Sequence, residues 1–375
     1  MTHRNTAIFY VSGHGFGHVS RQIEIINALA SIQPNLHILV RTSAPRELFE
    51  RGIKSAFSYV SGEPDTGVVQ INSLQVDATA SIRRASNFHR TLDARAETES
   101  QFLKFHEASL VVGDIPPLAF AAANIISVPA VAIANFTWDW IYAQYKAGLA
   151  AAPDLLTVIR NAYATADMAW RLPMSGGFSS FSRVVDAPLV ARHARHTSAH
   201  IRDALQLPSD RPLVLVSFGR YGLDTIDWAT ATQQDDFAII ATHDLVDTGP
   251  APLEKSARDL VFEVDVKSMF ERGLHYEDLV AAVDVVVTKP GYGIIAECVA
   301  NNTALVYTSR GDFAEYPILV KAMPKLLRCA HIHQRDLFAG RWTPVVREVL
   351  EQPQPTESTA TDGAQVIALG LSNYL

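Results

Sequence analysis

Short β-branched runs alternate with helix-like stretches along this chain, and the alternation starts over at mid-length. Ala7 to Val11 reads as a buried strand, Arg21 to Ser31 as the helix after it, and Leu36 to Arg41 as the next strand. Ser109 to Gly113 and Ala130 to Ala134 are two more strands, with the Ala-rich helix Leu118 to Ile126 between them. Strands this apolar are buried on both faces, which calls for helices on either side and crossovers joining parallel neighbours. The pattern restarts at Arg211, with strands Pro212 to Phe218, Phe237 to Thr242, Val261 to Val266, Val283 to Thr288 and Thr303 to Tyr307. Ser81 to His106 is polar and reads as one long, partly exposed helix. The expected fold is α/β, with two Rossmann-like parallel-sheet domains.

A length of 375 residues suits two cores. The first domain is expected over residues 1–185 and the second over 211–350. A polar linker, 186–210, carries Pro188, Pro208 and three histidines, His193, His196 and His200, interleaved with arginines at no metal-like spacing. In the remaining 351–375, a Pro/Thr/Ser-rich loop leads into a final helix, Gly363 to Tyr374, expected to pack back on the first domain. Hydrophobic residues make up 48% and charged residues 19%, which excludes extended disorder. A net charge of -7 gives no footprint for nucleic acid, yet leaves room for a local basic pocket. The two cysteines, Cys298 and Cys329, sit in no CxxC or CxxH pattern, so no structural metal is expected and a reducing cytoplasm fits. The N-terminus runs straight into a strand, without the pattern of a signal peptide. The longest apolar stretch, Leu118 to Ala134, is broken by Asn124, Ser127 and Pro129 and falls short of the roughly 20 residues of a spanning helix. A cytoplasmic protein is expected, with peripheral membrane contact left open.

Several segments carry candidate chemistry. Ser12-Gly13-His14-Gly15-Phe16-Gly17-His18 lies directly after a strand and before a helix. Gly15 and Gly17 let the backbone approach a ligand, and the helix start beyond offers N–H groups to an anion. His18 and His14 suit removal of a proton from an attacking hydroxyl near neutral pH; helix capping with surface histidines is the plainer alternative. Asp114 ends another strand and is a catalytic candidate, or else a helix cap. In the second half, Thr288-Lys289-Pro290-Gly291-Tyr292-Gly293 again joins strand to helix. Its backbone N–H groups and Lys289 suit a diphosphate, and Glu297, one helical turn on, suits ribose hydroxyls; a tight turn with a surface glutamate is the alternative. Gly219 and Arg220 follow the first strand of this half and suit the same phosphates. Asp312 and Glu315 suit sugar hydroxyls, or a helix cap and first turn. Asn135, Trp138 and Asp139 suit the face and hydroxyls of an acceptor sugar, although core packing is the usual use of such aromatics.

Val283 to Cys298, VDVVVTKPGYGIIAEC, resembles the donor-site signature TKxGxGTxxEA of the diacylglycerol glycosyltransferases and, more distantly, that of the peptidoglycan GlcNAc transferase. The chain also resembles the glycosyltransferase-like N-terminal region of L-arabinokinase and its bacterial relatives. Phe9 to His18 matches that region's YVTGHGFGH, and Asn135 to Tyr145 its NFSWDFIYAEY. Arg171-Leu172-Pro173 and Asp186 to Val190 recur in sense, so the resemblance spans about residues 7 to 325. No sugar-kinase glycine motif is present, and Arg310 to Tyr316 stands where the galactolipid enzymes have PGQE.

These resemblances imply the GT-B architecture, two Rossmann-like domains facing a central cleft. They imply that the glycines of 291–293 hold the UDP diphosphate, that Glu297 holds the ribose and that His18 is the base. The expected function is transfer of a sugar from a nucleotide sugar, a UDP-sugar by expectation, to a sugar, lipid-linked or small-molecule acceptor. No cofactor is expected beyond that co-substrate. Without a DxD-type motif, protein groups are expected to stabilise the leaving diphosphate, and single displacement would invert the anomeric centre. A non-catalytic nucleotide-sugar-binding module, and an epimerase or hydrolase of the same fold, are the alternatives.

Overall fold

A computed structural model of the chain describes residues 5–219, 226–233, 236–242 and 260–375. The chain divides into two compact units. Residues 1–70, 76–191 and 360–375 form one; 71–75 and 192–359 form the other.

The first unit is built on strands β1 (Thr6–Val11), β2 (His37–Thr42), β3 (Phe57–Ser61), β6 (Ala108–Asp114), β7 (Ala130–Phe136), β8 (Met168–Gly176) and β9 (Val184–Asp186), with β4 (Val69–Gln70) and β5 (Val76–Asp77) forming a separate antiparallel pair. The seven strands lie in the order β3-β2-β1-β6-β7-β8-β9, with every pairing parallel. Each of the six β1 residues is buried, as is every residue of β7, because helices cover both faces. The strand order reverses between β1 and β6, which pair Val11 with Asp114 at their carboxyl ends. The loop from residue 12 to 18 and Asp114 therefore meet at the switch point where open α/β sheets take ligands.

The second unit repeats this plan. Strands β10 (Leu213–Ser217), β11 (Ala238–Thr242), β12 (Val261–Val264), β13 (Val285–Thr288), β14 (Ala304–Tyr307) and β15 (Cys329–His331) lie in the order β12-β11-β10-β13-β14-β15, all parallel. Its switch point lies between β10 and β13, which pair Ser217 with Thr288. Val214, Val216, Val285, Val287 and Val306 point to one face of this sheet and pack with Trp342, Val346 and Val349. Among the described residues, no helix is long and apolar enough to cross a membrane.

Several elements differ from the sequence expectation. The polar stretch after residue 80 is two helices, Ala78–His89 and Leu92–Phe105, rather than one. The Thr91 hydroxyl donates to the Phe88 carbonyl at 3.2 Å, a local bond that competes with the helical ladder and breaks it. The break lets Phe88 and Leu92, each 4% exposed, both face inward. The first helix, Phe16–Ile32, begins five residues before the expected Arg21, so part of the glycine loop is its first turn. Within residues 186–210, Leu189 and Val190 are buried, and a short helix, Ser198–Ala204, buries Ile201. Strands β3, β8, β9 and β15 carry no strong β-branched run and gave no sequence signal.

The terminal helix, Gly363–Ser372, packs along helix Phe16–Ile32 and buries Ala364, Ile367, Ala368 and Leu371. Ile367→Ala is expected to destabilise the first unit by about 2–4 kcal/mol, the usual result of truncating a fully buried aliphatic side chain. Urea unfolding checks this; a loss below about 1 kcal/mol would show that the terminal helix contributes little to that unit's core.

Candidate functional site

In the first unit the candidate side chains gather around one carboxylate. Asp114, the last residue of β6, is fully buried. His18 Nδ1 lies 2.8 Å from its Oδ1, Arg21 Nε donates to Oδ2 at 2.6 Å, and Gln22 Nε2 donates to Oδ2 at 3.0 Å. Arg21 Nη2 also reaches Oδ1, and Arg21 Nη1 donates to Asn135 Oδ1 at 2.6 Å. His18, Arg21 and Gln22 stand three and four residues apart, so the first turns of helix Phe16–Ile32 present all three on one face. Burial alone raises the Asp114 carboxyl, but the charges of Arg21 and His18 and the bonds they make outweigh it and hold it at about 2. An ionised carboxylate only accepts hydrogen bonds, so the His18 proton sits on Nδ1. The 2.9 Å approach of Arg21 Nη2 to that nitrogen is then a shared approach to Asp114, not a bond. Nε2 of His18 is then the ring nitrogen turned away from Asp114, an imidazole oriented by an acid.

The surrounding residues hold this group in place. Trp138 has its ring 6.3 Å from His18, stacked, and 5.7 Å from His14, edge-on. At 1% exposure it is a wall behind both histidines. The expectation that Trp138 offers a face to an acceptor sugar is corrected on that ground. Asp139 is likewise buried and paired with Arg160 Nε at 3.1 Å, and Asn135 is buried against Arg21, so neither presents a surface. His14 is half-buried, with Nε2 3.2 Å from Gln70 Nε2. A carboxylate outside the sequence motifs, Asp65, accepts from Ser12 Oγ at 3.0 Å and Trp138 Nε1 at 2.9 Å. Burial pushes Asp65 up to about 6, against the opposing pull of His18 and its two donors.

In the second unit the loop after β13 gathers cationic and N–H groups. Helix Tyr292–Ala300 starts at Gly291 with no side-chain cap hydrogen bond and no acid in its first turn, the kind of helix start that suits an anion. Helix Phe16–Ile32 starts at Gly15 in the same way. Gly15 and Gly291 have extended φ values, -163° and -154°, that any residue can adopt. What their lack of a side chain leaves is room, since a Cβ at Gly15, Gly17 or Gly291 would meet nothing within 4 Å. Tyr292 is buried and Gly293 half-buried in the first turn of that helix. Burial, with Arg310 adding its charge, lowers Lys289 to about 7, and no described carboxylate pairs with it. Lys289 is half-buried and Arg310 is buried; Arg310 Nη1 donates to the Pro290 carbonyl at 3.2 Å and its guanidinium lies 3.4 Å over the Phe313 ring. Lys289 and Arg310 thus bring two cationic side chains to one helix start, a charge that suits a diphosphate.

The remaining candidates lie as follows. Gly219 comes just after β10 with φ +69°, a left-handed conformation that favours glycine. Arg220 lies outside the described residues. Asp312 is exposed, and Glu315 is half-buried at the start of helix Tyr316–Leu326. Glu297 is 4% exposed and is not a surface acid: Arg192 Nε donates to its Oε1 at 2.7 Å, with Nη2 on the same oxygen. Among the described residues, no group of three or more His, Cys, Asp or Glu is arranged to hold a metal ion.

No family model matches the chain. The chain is 28% identical over 368 residues to L-arabinokinase of Arabidopsis thaliana, an alignment that takes in 96% of this chain and 33% of that protein. It therefore spans about a third of the length of that relative. Among solved structures it matches the glycotransferase of kitacinnamycin with a TM-score of 0.66 at 14% identity, covering 99% of this chain and 100% of the other. It matches UDP-glucose: anthocyanidin 3-O-glucosyltransferase in complex with UDP at 0.61 and 11%, covering 100% and 95%. The glycosyltransferase VinC in complex with dTDP follows at 0.57 and 13%, covering 98% and 94%. The fold is GT-B. The two parallel-sheet units expected from the alternation of strands and helices are those of this fold, and the resemblance to L-arabinokinase read from the glycine loop extends along nearly the whole chain.

Sequence reasoning missed Arg21, Gln22, Asp65, Arg192 and Arg310. Arg21 had a usable signal, its three-residue spacing from His18. Asp65, in a loop between short strands, had none. Its carboxyl is raised above the unfolded value of about 3.9, so the protonated form favours folding. That stability is full below about pH 4 and is lost as pH rises through about 6. Wild type is expected to lose roughly 1–3 kcal/mol relative to Asp65→Asn between pH 4 and pH 7. Urea unfolding across that range measures it, and a difference independent of pH would refute it.

Proposed function

We propose that this chain is a glycosyltransferase that takes a sugar from a nucleotide sugar, with a UDP-sugar the preferred donor, and passes it to an acceptor hydroxyl. The observation that carries the reading is the buried His18–Asp114 pair, 2.8 Å apart, which leaves His18 Nε2 able to take a proton. The hydroxyl proton passes to Nε2, and Asp114 stabilises the imidazolium that forms. The hydroxyl oxygen attacks the anomeric carbon as the bond from that carbon to the diphosphate breaks. Charge then develops on the diphosphate, where the N–H groups from Gly291 to Gly293, Lys289 and Arg310 stabilise it without a bound metal. Gly219 and Arg220 follow β10, next to β13 in the sheet, and are proposed to add to the same phosphate site. Asp312 and Glu315 are proposed to accept from donor-sugar hydroxyls. A single displacement of this kind inverts the anomeric centre. The UDP and dTDP bound by GT-B neighbours support the donor class.

The test is UDP release from a panel of UDP-sugars, with and without small hydroxyl acceptors. His18→Ala is expected to lower turnover by about 10²–10⁴-fold while UDP affinity stays within a few-fold. UDP binding with no turnover from any donor, unchanged by His18→Ala, would make the chain a binding module instead. A second expectation follows from Lys289. Only its protonated form attracts a diphosphate, and its value near 7 means that attraction fades as pH rises from 6 to 8. UDP should bind wild type more weakly at pH 8 than at pH 6. Lys289→Gln should weaken binding about tenfold at pH 6 and less at pH 8. Calorimetric titration at the two pH values checks this, and equal losses at both would contradict it.

A further inference from the structure

Glu297 stands in helix Tyr292–Ala300, one turn beyond the glycine start, yet it is buried among charges rather than open to solvent. Its partner, Arg192, comes from the first residue of the second unit's main segment. Arg192 places both Nε, at 2.7 Å, and Nη2 on the same oxygen, Oε1. Its third nitrogen, Nη1, lies 3.2 Å from Glu277 Oε2, and Arg195 Nη2 lies 3.6 Å from Glu277 Oε1. No described group bonds to Glu297 Oε2.

Arg192 is itself fixed from several sides. Its carbonyl accepts from Asn301 Nδ2 at 3.0 Å, and Asn301 Oδ1 accepts from the Ala194 N–H at 2.8 Å. Asn301 caps the C-terminus of the helix that carries Glu297, so the arginine is clipped to that helix. The guanidinium lies 5.6 Å over the Tyr276 ring, and the Tyr276 hydroxyl is 2.6 Å from Ser217 Oγ, at the end of β10. Burial and the nearby Glu277 push the Glu297 carboxyl up, and Arg192 is the group that opposes them. A buried ion pair adds little to stability compared with apolar side chains of the same volume. An arrangement that binds one oxygen of a carboxylate twice and leaves the other without a bond suits the presentation of that second oxygen.

We propose that Arg192 is a positioning residue for Glu297, holding it by Oε1 so that Oε2 accepts from the ribose hydroxyls of a nucleoside diphosphate seated at Gly291–Gly293. This rests on the nucleotide-sugar reading above, with Glu297 on the ribose, and adds what orients that carboxylate. A group that acts only on ribose has a distinct signature: its loss lowers affinity for UDP and spares 2′-deoxy-UDP.

Calorimetric titration of both nucleotides into wild type, Arg192→Gln, Arg192→Lys and Glu297→Gln tests it, with circular dichroism and melting curves confirming the fold. Wild type should prefer UDP by about tenfold or more, as expected for a hydrogen bond to a charged acceptor. Arg192→Gln and Glu297→Gln should bring the ratio close to one, with 2′-deoxy-UDP affinity within about threefold of wild type. Arg192→Lys keeps the charge without the fork and should give an intermediate ratio, which also serves if Arg192→Gln does not fold. A folded Arg192 variant that keeps the wild-type ratio, or that loses both nucleotides equally, overturns the proposal, as does a wild-type ratio of one. Failure of wild type to bind either nucleotide overturns the nucleotide-sugar reading itself, and this inference with it.

Discussion

A fully buried carboxylate at the end of β6 governs the chemistry of the first unit. An ionised side chain in such a place is tolerated only when charge and hydrogen bonds offset its lost hydration. Asp114 meets that condition by drawing in His18, Arg21 and Gln22 from one helix, with Asn135 supporting Arg21 from β7. The need to stay ionised fixes the His18 proton on Nδ1. The imidazole is therefore oriented by the same interaction that allows the charge to be buried. Trp138 closes the back of the arrangement, and Asp65 holds Trp138 and Ser12 in turn.

The second unit uses the same topology with the opposite charge. Ser217 pairs with Thr288 at its switch point as Val11 pairs with Asp114 in the first. Beyond Thr288 come Lys289 and an uncapped helix, with Arg310 set against Pro290. Here the charge gathered at the helix start is positive. Lys289 is lowered by burial and by a second cation, which disfavours its charged form, whereas the cations beside Asp114 favour its charged form. One sheet plan, repeated, carries a histidine held by an acid in one unit and a cationic helix start in the other.

Much of this was readable from residue order. The strand runs at Ala7, Leu36, Ser109 and Ala130 and the five of the second half all fall on observed strands, because parallel strands buried on both faces must be apolar throughout. The two glycine loops stood out because each follows such a strand and precedes a helix. The helices were less legible. The polar stretch from Ser81 to His106 hid a break that depends on a threonine hydroxyl and on which residues face inward. The aromatics at Trp138 and Trp140 suited a sugar surface and a core equally well in sequence, and burial assigns Trp138 to the core.

The sequence by itself determined the two-fold α/β plan and the carboxyl-end positions of both loops, and it singled out His18, Lys289 and Glu297 as candidates. Those features follow from local patterns: periodicity, glycine placement and spacing along one helix. Only the tertiary structure decided the partners. Asp114 lies 96 residues from His18, Asp65 lies 73 from Trp138, and Arg192 lies 105 from Glu297. A titratable side chain acquires its state from the charges and the solvent around it. At such separations only the folded sheets bring those groups together.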